Sequence, residues 1–176
     1  RDFHIVLLHK ENVSYYLPEF NFPANTGNVN EKSLRYSVLN EYGGVFMPIH
    51  TLCFQPLISL YNDNRDKDVI VFGDIESPVV FAKKGETTEA FAKYYEGRKN
   101  GLRGGSAFDD VPRILADRLK VEILDDTLIG NRDIYGEVLT SNSFVSQNST
   151  RMKDQNNMYL IVVKLDSYRK DSFLMR

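Results

Sequence analysis

The sequence is poor in several features that would identify a class of protein at once. It has one cysteine in 176 residues, so no internal disulfide can form and a reducing compartment is favoured. Its apolar runs fall well short of the ~20 residues that span a bilayer, and the first residues lack the basic-then-apolar pattern of a signal peptide. Gly101, Gly104 and Gly105 do not have the spacing of a phosphate-binding loop. We therefore expect no transmembrane segment and a cytoplasmic location, with membrane association left open.

The net charge and the length of the chain further limit the classes of protein to which it can belong. The chain has 22 basic and 24 acidic residues and a formal net charge of −2, which gives no reason to expect a nucleic-acid partner. At this length one domain can bury about two-thirds of its unfolded surface. No repeat or linker divides the sequence, so residues 1–176 are predicted to form a single domain. Because the chain starts on Arg1 and runs directly into apolar residues, we expect an N-terminal part of that domain, including its first strand, to be missing.

Hydrophobic patterning predicts an alternation of strands and helices. Short, continuous apolar runs are typical of buried strands, and apolar residues at helical spacing indicate helices. Strands are predicted at 3–8, 45–47, 51–54, 69–72, 79–82, 121–124 and 158–165. Helices are predicted at 13–17, 31–42 with Asn30 as N-cap, 57–61, 87–97 capped by Thr87 or Thr88, and 109–120. This order predicts an α/β three-layer sandwich with a mostly parallel central sheet.

The stretch from 33 to 57 carries the densest local signals. Four apolar residues of its helix share one face, namely Leu34, Val38, Leu39 and Tyr42. Gly43 and Gly44 then end the helix, because glycine enters the left-handed conformation without a steric cost. The strand that follows must end at Pro48, which has no backbone N–H to donate to a neighbouring strand. Ligands of open α/β sheets bind just beyond such strand ends. Cys53, which lies in the next apolar run, is expected to be a small buried side chain.

This stretch resembles the sugar-binding segment of a known group of enzymes. The resemblance rests on a helix with Arg35 and Leu39, the sequence Tyr-Gly-Gly, a hydrophobic strand and the exit Gln-Pro-Leu. The group is the capsular-polysaccharide-synthesis and glycosyltransferase 32-like family, which has the GT-A fold. The similarity extends to HKENVSYYLPEF upstream and to VVFAKKGETTEAFAKYYEG downstream. It implies a GT-A-like domain that transfers a sugar from a nucleotide-sugar donor to a glycan acceptor, in surface or capsular polysaccharide synthesis.

The chain departs from the family where the family carries acids. The family strand ends in Asp-x-Asp, or a single Asp, which holds a divalent metal such as Mn²⁺ or Mg²⁺, whereas this chain reads Pro48-Ile49-His50. The family also has an Asp three residues before the helix arginine, where this chain has Lys32. His50 could ligate a metal, but one imidazole suits a hard cation poorly. The alternative is a catalytically inactive scaffold that binds glycan or a protein partner.

Three residues are candidates for catalysis. His50 follows a strand end, where an imidazole can act as an acid, a base or a metal ligand. Asp74 and Glu76 form a carboxylate pair in the loop between two predicted core strands. The competing interpretation of this pair is a solvated turn.

Four residues are candidates for binding the donor. The Arg35 guanidinium suits two phosphate oxygens, although an ion pair with Glu31 four residues earlier explains it equally well. Lys32 could replace a metal by stabilising the departing diphosphate. Gly43 and Gly44 are implied by the resemblance to shape the donor pocket.

Overall fold

The computed structural model describes residues 4–9, 11–21, 27–99, 112, 115–116, 119–130, 135 and 158–162. These residues belong to two compact units. The first lies within Arg1–Met47 and Ile58–Leu124, and the second within Pro48–Leu57 and Asp125–Arg176. No helix in the described ranges is long and apolar enough to cross a membrane.

The helices and strands follow in chain order. Those up to the middle of the chain are α1 at Val13–Tyr16, α2 at Gly27–Tyr42, β1 at Gly44–Phe46, β2 at Thr51–Cys53 and α3 at Leu57–Asp63. Those that follow are β3 at Val69–Phe72, β4 at Val80–Ala82, α4 at Glu86–Lys99, β5 at Val121–Leu124, a 3-10 turn at Asp126–Leu128, β6 at Ile129–Gly130 and β7 at Leu160–Val162. The α/β class expected from the pattern is confirmed, with mixed rather than purely parallel sheets.

The first unit contains a four-stranded sheet in the order β1-β4-β3-β5. β3 and β5 are parallel, whereas β4 is antiparallel to both β1 and β3. The expectation of a mostly parallel sheet is therefore wrong for the described strands. The physical reason is the short segment 73–79 between β3 and β4, since a parallel connection needs a crossover of a dozen or more residues.

The sheet has one end at which several strands finish. β1, β3 and β5 run in the same direction, because β1 and β3 are both antiparallel to β4 and β5 is parallel to β3. Their last residues, Phe46, Phe72 and Leu124, therefore lie at the same end of the sheet, which we call the carboxyl end. β1 is one of the two outermost described strands of this sheet. The expectation that it would be buried on both faces of a parallel sheet is wrong, because all three of its residues are partly exposed and it pairs antiparallel with β4.

α2 and α4 pack on each other and on one face of this sheet. Tyr36 and Leu39 from α2 meet Phe91 and Tyr95 from α4 in one buried cluster. The same cluster includes sheet residues at alternating positions, as the period-two geometry of a strand requires, namely Val69, Val71, Val80 and Ala82. The Tyr36 ring stacks on Phe91 at 5.0 Å and on Tyr95 at 5.2 Å between ring centroids. The facing surfaces of the two helices are thus fixed by aromatic packing.

The second unit contains a three-stranded sheet in the order β2-β7-β6. β7 is antiparallel to β2 and parallel to β6. The Asp125 side chain caps the 3-10 turn by accepting a hydrogen bond from the Thr127 amide at 2.8 Å. Cys53 is exposed, so its predicted burial is wrong. Cys53 lies on β2, one of the two outermost described strands of this sheet, where fewer neighbours cover a side chain.

Several predicted boundaries differ from the structure. Within the predicted strand 3–8, residues 4–8 have no regular structure, and Ile5 is 90% exposed. A strand needs a hydrogen-bonded neighbour, and none of the described strands pairs with this segment. α2 begins three residues before Asn30, so the predicted N-cap is an interior helix residue. Thr87 and Thr88 lie inside the first turn of α4 rather than before it.

The two threonines have another role. The Thr87 hydroxyl donates to Asp68 at 2.9 Å, and the Thr88 hydroxyl donates to the Lys83 carbonyl at 2.6 Å. These bonds connect the first turn of α4 to the residue before β3 and to the residue after β4. Gly101, Gly104 and Gly105, most of the predicted helix 109–120 and the C-terminal part of the predicted strand 158–165 lie outside the described residues.

Candidate functional site

The loop from 73 to 78 leaves β3 at the carboxyl end of the sheet. Gly73 has φ of 75°, a left-handed conformation that lets the chain turn sharply out of the strand. The Glu76 amide donates to the Asp74 carboxylate at 2.6 Å, which forms a turn closed by a side chain. The Ser77 hydroxyl donates to the Val79 carbonyl at 2.9 Å. The loop thus has a shape fixed by its own hydrogen bonds.

Arg35 links α2 to this loop. Its side chain is buried, and its Nη1 donates to the Ser77 carbonyl at 2.5 Å while Nη2 donates to Glu31 at 3.0 Å. The guanidinium carbon also lies 5.4 Å from the centre of the Phe46 ring, at the end of β1. The Glu31–Arg35 ion pair that the four-residue spacing allowed is therefore present. Arg35 Nε finds no hydrogen-bond partner among the described residues.

Lys32 and Glu76 form the centre of the arrangement. The Lys32 ammonium pairs with one Glu76 carboxylate oxygen, and the Tyr95 hydroxyl donates to the other at 3.0 Å. The same ammonium lies 5.9 Å from the centre of the Tyr95 ring. The Lys32 and Glu76 side chains are 30% and 42% exposed, so solvent reaches both. We call Lys32, Arg35, Asp74, Glu76 and Tyr95 the Lys32 cluster.

Burial and neighbouring charges act on the protons of this cluster. Burial lowers the pKa of Lys32, and the charges of Arg35 and Arg98 act in the same direction, against the opposing effects of Asp74 and Glu31. Burial raises the pKa of Tyr95, and raises that of Tyr36 to about 12. Both phenols are therefore neutral at physiological pH and available as hydrogen-bond donors.

The structure brings four of the predicted site residues together and separates others from them. Lys32, Arg35, Asp74 and Glu76 come from α2 and from the loop, and they meet at the carboxyl end. Gly43 and Gly44 lie at the opposite end of β1, where they shape the turn out of α2 instead of lining the cluster.

His50 belongs to the second unit. Its Nδ1 is buried and has no hydrogen-bond partner among the described residues.

The oxygen atoms of the cluster do not suit a divalent metal. In the described ranges, no group of three or more histidine, cysteine, aspartate and glutamate side chains could hold one. Both Glu76 oxygens are already bound by Lys32 and Tyr95, and Asp74 accepts the Glu76 amide. A hard cation such as Mg²⁺ needs several carboxylate or carbonyl oxygens, and an ammonium in their midst repels it. The Lys32 ammonium is the cation that pairs with Glu76.

Sequence reasoning missed the aromatic part of the cluster. The Tyr95 ring stacks on Tyr36, where α4 packs on α2. Its hydroxyl, however, reaches Glu76. The signal that could have indicated this is the amphipathic nature of tyrosine, whose hydroxyl usually finds a hydrogen-bond partner when the ring is buried. Ser77, whose carbonyl binds Arg35, gave no sequence signal because any residue offers a carbonyl.

Cationic and carboxylate side chains lie close together at the carboxyl end of the sheet. Lys32, Arg35 and Arg98 supply positive charge, and Glu31, Asp74 and Glu76 supply negative charge. An anionic ligand would find an ammonium and a phenol donor here, and a hydroxyl group would find carboxylate acceptors.

No family model, curated protein or solved structure matches the chain, so the interpretation of this site rests on its residues and their geometry.

Proposed function

We propose that the chain is a GT-A-like glycosyltransferase domain. It binds the diphosphate of a nucleotide-sugar donor at the carboxyl end of its first sheet and transfers the sugar to a glycan acceptor, in surface or capsular polysaccharide synthesis. The observation that supports this most is the meeting of Lys32, Arg35, Asp74 and Glu76 where α/β sheets bind ligands. The resemblance of the segment around Tyr42-Gly43-Gly44 to glycosyltransferases agrees with it. The single cysteine favours a cytoplasmic setting.

In the proposed reaction an acceptor hydroxyl attacks the anomeric carbon of the donor sugar. The bond from that carbon to the diphosphate oxygen breaks, and the nucleoside diphosphate leaves with the electron pair. The Lys32 ammonium stabilises the charge that develops on the leaving group, while Arg35 holds the loop in place through the Ser77 carbonyl. Asp74, whose side chain is exposed beside Lys32, accepts the proton of the acceptor hydroxyl. The role of His50 as an acid or base stays a prediction, and no step of the proposed reaction is assigned to this residue of the second unit.

No step of the proposed reaction uses a metal. The residues of the Lys32 cluster do not fit Mn²⁺ or Mg²⁺, because its carboxylate oxygens are bound by an ammonium, a phenol and an amide. Cationic side chains can stabilise a departing diphosphate in place of a metal. We therefore expect donor binding to be the same with Mn²⁺ and with a chelator.

The experiment is a calorimetric titration of a panel of uridine and guanosine diphosphate sugars, with Mn²⁺ or with chelator. Lys32→Ala should weaken donor binding about tenfold, as expected for the loss of a charge-assisted contact to phosphate. Lys93→Ala is the matched control, because Lys93 also forms an ion pair but with Glu89 on the exposed side of α4. Equal binding by the two variants, or no binding of any donor by the wild-type chain, contradicts the proposal.

A second candidate function is a catalytically inactive scaffold of the same fold that binds glycan or a protein partner. One observation favours it, since Arg35 and Glu76 are already paired with protein groups. Donor hydrolysis under single-turnover conditions separates the two candidates. Release of nucleoside diphosphate that requires Asp74 supports the enzyme, whereas donor or glycan binding without release supports the scaffold.

A further inference from the structure

Glu76 is held differently from the rest of its loop. The loop backbone is anchored by Arg35 on the Ser77 carbonyl and by the Asp74 carboxylate on the Glu76 amide. The Glu76 side chain is bound separately, by Lys32 on one oxygen and by the Tyr95 hydroxyl on the other. It can therefore leave these partners by rotation of its own side chain, while the backbone contacts that fix the loop remain.

The two groups that bind Glu76 are those that an anionic ligand needs. An ammonium and a neutral phenol both donate hydrogen bonds to anionic oxygen, and the two oxygens of a carboxylate lie about as far apart as two oxygens of a phosphate. Arg98 on α4 and Arg35 on α2 add positive charge around Lys32. Asp74 and Glu31 add negative charge. Without Glu76, the three cations Lys32, Arg35 and Arg98 would face these two carboxylates, which leaves a net attraction for an anion.

We infer that Glu76 is the affinity-determining residue of this site, because its carboxylate occupies the position of a ligand phosphate and must be displaced from Lys32 and Tyr95 when a diphosphate binds. The identity of the ligand as a nucleotide-sugar rests on the proposed function. The competition between Glu76 and a phosphate group does not, since it follows from the contacts of one carboxylate. The partial exposure of Lys32 and Glu76 gives a phosphate direct access from solvent.

The test uses inorganic pyrophosphate as the probe and compares the wild-type chain with Glu76→Gln. Glutamine keeps an oxygen that can accept the Tyr95 hydrogen bond but loses the charge that binds Lys32. A partly exposed ion pair contributes up to ~1 kcal/mol, so removing this competitor should tighten pyrophosphate binding about fivefold. Glu89→Gln is the control, because Glu89 pairs with Lys93 at 2.5 Å on the same helix as Tyr95. It should bind pyrophosphate as the wild-type chain does.

Two further variants sharpen the test. In a Lys32→Ala background the effect of Glu76→Gln should vanish, because the contested cation is gone. Glu76→Ala should shift the affinity in the same direction as Glu76→Gln, so the result does not depend on how the glutamine packs. Circular dichroism of each variant checks that the fold is retained.

The outcomes separate this inference from the proposed function. Tighter pyrophosphate binding by Glu76→Gln but not by Glu89→Gln supports the inference. It does so even if no nucleotide-sugar binds, in which case only the proposed function fails. Unchanged or weaker pyrophosphate binding by Glu76→Gln overturns the inference, even where the wild-type chain binds nucleotide-sugars and the proposed function stands. Absence of pyrophosphate binding in every variant also overturns it.

Discussion

The hydroxyl of Tyr36 provides a sharp test of the packing beneath the candidate site. Tyr36 is 1% exposed, and its hydroxyl has no hydrogen-bond partner among the described residues. Its ring stacks between Phe91 and Tyr95, and phenylalanine would keep both contacts. Tyr36→Phe therefore removes a buried, unsatisfied polar group without opening a cavity. We expect the free energy of unfolding at pH 7 to rise by about 1 kcal/mol.

The same substitution should have a larger effect at alkaline pH. Burial raises the pKa of Tyr36 from 10.0 to about 12, so the folded state holds the phenol proton more tightly than the unfolded state. The associated stability is complete below pH 10 and is lost as the pH rises toward 12. By pH 11 the loss is on the order of 1 kcal/mol, because the unfolded state has already released most of this proton. Since phenylalanine has no proton to release, Tyr36→Phe should be more stable than wild type by about 2 kcal/mol at pH 11.

The assay is urea unfolding followed by far-ultraviolet circular dichroism at pH 7 and pH 11. Tyr15→Phe serves as the control, because Tyr15 is 82% exposed and its hydroxyl can bond to water. That variant should stay within about 0.5 kcal/mol of wild type at both pH values. Burial raises the pKa of Tyr95 and the Tyr36 phenol adds to that effect, so its removal acts on stability at alkaline pH in the same direction. A loss of stability in Tyr36→Phe at pH 7, or equal differences at the two pH values, would refute the reasoning.

Two further substitutions, each with its own control, are tested by urea unfolding. One removes the link from α2 to the loop after β3, and the other changes the turn from α2 into β1. Arg35→Met keeps the aliphatic part of the side chain but leaves the Ser77 carbonyl without its donor, so we expect a loss of about 2 kcal/mol. Lys93→Met, which breaks an exposed pair, should change stability by less than about 0.5 kcal/mol. Gly43→Ala should cost about 1–2 kcal/mol because φ is +66°. Gly85→Ala, where the added Cβ meets open space, should cost about 0.5 kcal/mol. Equal losses within either pair would contradict these assignments.

Local signals were sufficient to predict part of the fold. The run Val69–Phe72 was predicted as a buried strand and is one, because four consecutive apolar residues leave no solvent-facing side. Gly43 was predicted to end α2, and its positive φ shows why glycine is needed there. Boundaries without such a signal were predicted less well. The start of α2 was placed too late because Asn30 has the chemistry of an N-cap, although the helix continues through it.

The sequence predicted most residues of the candidate site but not the contacts between them. Asp74 and Glu76 were chosen by residue type and by their loop between predicted strands. Lys32 and Arg35 were chosen by their charge and by the resemblance of their helix to the glycosyltransferase family, and the four residues do meet. Their pairing could not be read from the sequence, since it depends on how far α2 lies from the loop after β3. The role of Tyr95 is a consequence of the same packing, because its ring must stack on α2 before its hydroxyl can reach Glu76.

By itself, the sequence determined which segments are strands and helices in the core, and where the chain turns at Gly43. These features depend on residues close together along the chain, whose periodicity and backbone freedom act locally. The tertiary structure alone decided strand direction, the exposure of Ile5 and Cys53, and the pairing of Lys32 with Glu76. Each of these depends on which distant segment lies alongside. A carboxylate such as Glu76 has the same chemistry in a solvated turn as in a binding site, and the neighbours supplied by α2 and α4 make the difference.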